Sequence, residues 1–117
     1  MNDREIEAMR AKIEELTRTK LGARKIREGF EFDGSKFRVS YEKDGTERFE
    51  MQFWGTYGKG RFDWVQGRWG RLNETAEAIA TDYVMWIKDI LPNSYANYIG
   101  NSATGNADGG VLPPEFK

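Results

Sequence analysis

The stretch from Phe30 to Phe53 admits few folds. Phe30 and Phe32 alternate with Glu31 and Asp33. Phe37, Val39 and Tyr41 alternate with Arg38, Ser40 and Glu42, and Phe49, Met51 and Phe53 with Glu50 and Gln52. Two is the side-chain period of a β-strand, so each run has one apolar and one polar face. Asp33-Gly34 and Asp44-Gly45 separate the runs. An Asp-Gly pair supplies residues that accept the positive φ of a tight hairpin. The pattern predicts a three-stranded antiparallel meander, and Phe62 with Trp64 suggests a further strand after residues 55–60.

An apolar sheet face needs cover, and helical patterns flank the strands. Asn2 followed by Glu5 reads as a capping box. Ile6, Met9, Ile13 and Leu16 then recur at spacings of three, four and three until Gly22. This stripe suits a helix on the protein's own core. It equally suits docking on another subunit, and its narrowness within dense charge favours an oligomer interface at Ile6, Met9, Ile13 and Leu16. The expected homo-oligomer is a C2 dimer by frequency. A second helix is expected over residues 73–91. Asn73 is its N-cap, and Ala76, Ile79, Ala80, Tyr83, Ile87, Ile90 and Leu91 form its apolar face before Pro92. The expected fold is therefore α+β: an N-terminal helix, an antiparallel β-meander of three to five strands, and a long C-terminal helix packed on the sheet. Residues 1–99 form a single domain, and residues 100–117 a Gly/Asn-rich C-terminal tail.

Composition narrows the chemistry. The 117 residues include no cysteine and no histidine. Disulfides, thiolate zinc sites, cysteine nucleophiles and every histidine-assisted nucleophile are thereby excluded. No nucleophile has an identifiable base, so the chain is not expected to be an enzyme. Glu74, Glu77 and Asp82 lie close together on the second helix, but acids in a first helical turn ordinarily complement the dipole. Neither a metal nor a cofactor is expected. No apolar run approaches the roughly 20 residues of a membrane span, and no charged-then-apolar leader opens the sequence. The expectation is a cytoplasmic protein with no membrane partner.

The chemistry that remains is concentrated in residues 53–72. They hold three of the four tryptophans, five glycines, and Lys59, Arg61, Arg68 and Arg71 against Asp63 alone, a net charge of +3 in a chain of net −1. Closely spaced glycines in Gly55-Thr56-Tyr57-Gly58-Lys59-Gly60-Arg61 let backbone N–H groups converge on an anion. The spacing is not that of a Walker A loop, and no βαβ unit surrounds it. Tyr57, Trp64 or Trp69 could stack on a base while arginines meet phosphate. The candidate ligand-binding residues are Tyr57, Lys59, Arg61, Arg68, Trp69 and Arg71. They point to a non-catalytic small binding protein that sequesters a phosphate-bearing ligand, a nucleotide or cyclic-nucleotide signal. A protein-binding inhibitor or adaptor using the same aromatic and arginine surface is the alternative, since Trp and Arg dominate protein hot spots. Extended nucleic acid is disfavoured by the net charge. Size and composition fit the accessory, counter-defence type of protein carried by phages and mobile elements.

Overall fold

The computed structural model describes residues 1–55 and 61–90. Helix α1 (Asp3–Leu21) leads into five strands, β1 (Arg24–Ile26), β2 (Gly29–Phe32), β3 (Ser35–Glu42), β4 (Arg48–Gly55) and β5 (Asp63–Arg71). Helix α2 (Ala76–Met85) follows and runs into a π-helical turn at Trp86–Ile90. The strands form one antiparallel sheet in the order β1-β2-β3-β4-β5, a plain meander. The architecture is broadly α+β, as the patterning predicts. The expected tail over residues 100–117 lies outside the described residues.

Local chemistry explains the boundaries. The Asn2 side chain accepts from the Glu5 amide at 2.8 Å, and the Glu5 carboxylate accepts from the Asn2 amide at 3.0 Å, completing the capping box. Gly22 closes α1 at φ 68°, a left-handed conformation that glycine adopts without steric cost. Asp33 and Gly34 both carry positive φ, as a two-residue hairpin between β2 and β3 requires. The second helix starts at Ala76 rather than at residue 74. Its N-cap is Thr75, whose hydroxyl accepts from the Ala78 amide at 3.1 Å. Asn73 loses that role because Glu74 closes a turn: its carboxylate accepts from the Arg71 amide and its own amide donates to the Arg71 carbonyl.

Both helices lie on the apolar face. Phe30 stacks on Phe37 with ring centroids 5.5 Å apart, and Phe49, Met51, Ile13, Ile79, Tyr83 and Ile87 are all essentially inaccessible to solvent. Each such side chain contributes roughly 1.5–3 kcal/mol of burial free energy. The Tyr83 hydroxyl donates to the Phe49 carbonyl at 2.8 Å. Burial holds this phenol far above its ordinary range, so it stays a donor. The stripe predicted for oligomerisation is part of this core. Ile6 and Ile13 are buried in it, and Met9 and Leu16 pack against it. A dimer built on those residues would have to uncover the core.

One edge of the sheet is closed in an unusual way. β2 pairs with β3 only as far as Phe37, whereas β3 continues to Glu42. Beyond that point α1 supplies the missing partners. The Glu14 carboxylate accepts from the Val39 amide at 2.9 Å, and the Arg10 guanidinium donates to the Val39 carbonyl at 2.8 Å. Arg10 is steadied by a two-pronged pair to Glu7. Replacing Glu14 by leucine orphans the Val39 amide and should cost about 1–3 kcal/mol in urea unfolding. Glu14→Gln, which keeps an acceptor, should cost clearly less.

The Glu7–Arg10 pair also gives the fold an acid dependence. Hydrogen bonding to Arg10 holds the Glu7 carboxyl below its ordinary value of 4.5. A depressed carboxylate stabilises the fold above its unfolded-state value, and that stability is lost as pH falls through the folded-state value. Glu7 is largely exposed, so the effect should stay below about 1 kcal/mol. Urea midpoints measured from about pH 6 down to about pH 3 should fall less steeply for Glu7→Gln than for the parent.

Candidate functional site

Among the described residues no helix covers the second face of the sheet, and the register assembles its side chains. Arg38 lies across from Gln52, Ser40 from Glu50 and Glu42 from Arg48; on the other side of β4, Glu50 lies across from Trp69, Arg48 from Arg71 and Trp54 from Trp64. Residues directly opposite share a face. The middle of this face is a closed polar network. Gln52 donates to Glu50 at 3.0 Å and to Glu42 at 3.4 Å, and it accepts from Arg38 at 2.7 Å. Arg48 pairs with Glu50 at 2.7 Å. Glu50 and Gln52 are buried although they point away from the core. They satisfy one another, as buried polar groups must.

Aromatic rings stand along the β5 side of that network. Trp54 and Trp64 meet edge to face with centroids 5.5 Å apart, and the Arg38 guanidinium lies 4.4 Å from the Trp64 ring centre. Burial against its surroundings lowers the Arg38 pKa from the ordinary guanidinium value, yet the group remains charged. Further along β5 the Arg71 guanidinium sits 5.9 Å from the centre of Trp69. Trp69 is 44% exposed.

A β-bulge decides which residues of β5 join this face. Met51 pairs with Arg68 but Gln52 pairs with Gln66, so Gly67 is an extra residue. Strict alternation from Trp64 would place Gln66, Arg68 and Gly70 together. The bulge reverses the parity instead. Trp69 and Arg71 join Trp64 and Gln66, while Arg68 turns to the helical side and pairs with Asp82 at 2.9 and 3.1 Å. A side chain is excluded at Gly67 because the Trp86 ring occupies its place.

The predicted site residues therefore separate. Trp69 and Arg71 come together on the helix-free face. Arg68 does not join them, and its charge is answered by Asp82. Arg61 is exposed ahead of β5 and makes no ion pair among the described residues. Tyr57 and Lys59 lie outside the described residues. A hollow of about 310 Å³ bounded by Gly67, Arg68 and Trp69 adjoins the bulge. The acids expected on the second helix go three ways: Glu74, in the turn before the helix, to the Arg71 amide, Glu77 to Lys12 at 3.3 Å, and Asp82 to Arg68. No cluster of three metal-ligating side chains occurs among the described residues. No helix among them is long and apolar enough to cross a membrane.

Arg38 and Gln52 are absent from the sequence-derived site, although alternation already places both on the polar face beside Trp54. What the sequence could not supply is the register that sets Trp64 against Trp54. Comparison with known protein families, curated proteins and solved structures finds no match for this chain.

Gly67→Ala forces a methyl group into the Trp86 ring. It should destabilise the protein by about 1–3 kcal/mol in thermal or urea unfolding, and Trp86→Leu should relieve part of that cost in the double variant.

Proposed function

We propose that the protein is a non-catalytic binding protein that sequesters a phosphate-bearing ligand, a nucleotide or cyclic nucleotide, on the helix-free face of its sheet. The observation that carries this reading is the pairing of an exposed indole, Trp69, with an arginine, Arg71, that makes no ion pair among the described residues. A base stacks on Trp69, and Arg71 meets phosphate. Stacking on an aromatic side chain contributes about 1–3 kcal/mol per base, and each hydrogen bond to a charged group about 1.5–3 kcal/mol. Arg68 has no part in binding, since Asp82 already holds it. Of the carboxylates beside the rings, Glu50 is enclosed by Arg48 and Gln52, Glu42 is bonded to Ser40, and Asp63 accepts from the Trp64 amide.

A panel of nucleotides and cyclic dinucleotides, titrated against tryptophan fluorescence and melting temperature, tests this reading. A ligand at 100 times its dissociation constant should stabilise the protein by about 2.7 kcal/mol. Trp69→Ala and Arg71→Ala should each abolish that gain while leaving the unliganded stability within about 0.5 kcal/mol of the parent. Arg68→Ala should leave the gain intact. If no nucleotide shifts the melt, or if Arg68→Ala alone removes the shift, the reading is wrong.

A protein-binding inhibitor or adaptor is the second reading. It is favoured by the spread of aromatic and arginine groups to both ends of the face, with Arg38, Trp54 and Trp64 at one end and Trp69 and Arg71 at the other. A single protein recovered by pull-down, and lost with Trp69→Ala, would select it over the nucleotide.

A further inference from the structure

The side of β3 closed by α1 is only partly closed, and what stays open lines a cleft. Val39 directs both its amide and its carbonyl at α1, to Glu14 and Arg10. In an antiparallel strand such outward pairs recur every second residue. The register of β3 on β4 is unbroken from Phe37 to Glu42, so Phe37 and Tyr41 point the same way as Val39. Phe37 is answered by Phe30 of β2. Among the described residues Tyr41 has no such strand partner, because β2 pairs no further along β3 than Phe37.

The direction of α1 shows what lies there instead. Glu14 meets the amide of Val39 and Arg10 its carbonyl, so earlier helix residues lie beside later strand residues. One turn before Arg10, Ile6 and Glu7 flank Tyr41, and Asp3 reaches the turn after β3. A cleft of about 520 Å³ occupies this position, between those three residues and the segment from Tyr41 to Asp44. Its walls combine an open strand edge, apolar surface from Ile6 and Tyr41, and three carboxylates, Asp3, Glu7 and Asp44, against one cation, Lys43; the Glu42 carboxylate is turned to the other face, where it accepts from Ser40 and Gln52. Glu7 and Asp44 also pair with Arg10 and Arg48, but their side chains remain 65% and 82% exposed.

We propose that this cleft binds a short extended peptide of a partner protein, one with alternating apolar and basic side chains, by strand addition at Tyr41. The peptide backbone takes up the Tyr41 amide and carbonyl, its apolar side chains settle against Ile6 and Tyr41, and its Lys or Arg side chains meet the acidic rim. Main-chain pairing of this kind gives affinity and flanking surfaces give selectivity. The site is on a different edge of the sheet from Trp69 and Arg71, so it stands or falls apart from the nucleotide reading.

The test uses the full chain, labelled for amide NMR, and a fluorescein-tagged acetyl-Val-Lys-Val-Lys-Val-Lys-amide peptide. In the free protein the Tyr41 amide should exchange with solvent much faster than that of Val39. On titration the Tyr41 amide should shift and become protected. The counterpart with Glu for each Lys should bind about tenfold more weakly or worse, and Asp3→Asn with Asp44→Asn should weaken the Lys peptide about tenfold while the protein stays folded, with only a small change in melting temperature. The proposal is overturned if the two peptides bind alike, if the Tyr41 amide does not respond, or if Trp69→Ala removes binding. It is also overturned if Tyr41 is already protected in the free protein, since another part of this chain or a second copy would then hold the edge.

Discussion

The Val39 amide and carbonyl fix where α1 meets the sheet. A strand longer than its neighbour leaves backbone groups facing a partly buried space, and such groups require partners. Here side chains of a helix provide them, Glu14 as acceptor and Arg10 as donor. The two bonds hold α1 at one position along β3 and on one face of the sheet. α1 then carries α2 beside it, helped at the surface by Lys12 and Glu77. Two helices side by side cover the apolar face, and no described element is left for the other.

That asymmetry makes β4 a strand buried in two different ways. Phe49, Met51 and Phe53 enter an apolar core, while Glu50 and Gln52 on the reverse side are buried among polar neighbours that satisfy them. Such a network is costly to leave half-made, so it constrains which side chains can stand beside it. Arg38 is held by Gln52 and lies over Trp64, and Trp64 abuts Trp54. The rings beside the network are thus fixed from underneath, and Trp69 is left to face solvent.

Most of the fold was legible because each signal was local. The capping box at Asn2 and Glu5, the glycine after α1, the Asp33-Gly34 turn and the alternation of Phe30 to Phe53 all act within a few residues. The Ile6, Met9, Ile13 and Leu16 stripe was legible as amphipathic, but a stripe does not say which surface it meets, and here it meets its own sheet. The site was less legible for a physical reason. One glycine, Gly67, is inserted as a bulge and reverses the parity of β5, separating Arg68 from Trp69 and Arg71. Gly67 inside the strand pattern is the one local hint of that insertion, and the Trp86 ring that fills the space beside it comes from the far end of the following helix, out of reach of a local reading. Thr75 displaced Asn73 as N-cap for a similar reason: Glu74 bonds back to Arg71, an interaction that depends on where β5 ends.

Amide hydrogen exchange at Val39 tests the closing of the β3 edge most directly. If Glu14 and Arg10 stand in for a strand, the Val39 amide should exchange as slowly as amides inside the β3–β4 ladder, and substituting Glu14 by leucine should speed Val39 selectively while its ladder neighbours stay slow. A Val39 amide that exchanges like those of the exposed turn at residues 43–47, or that is indifferent to Glu14, would contradict the account.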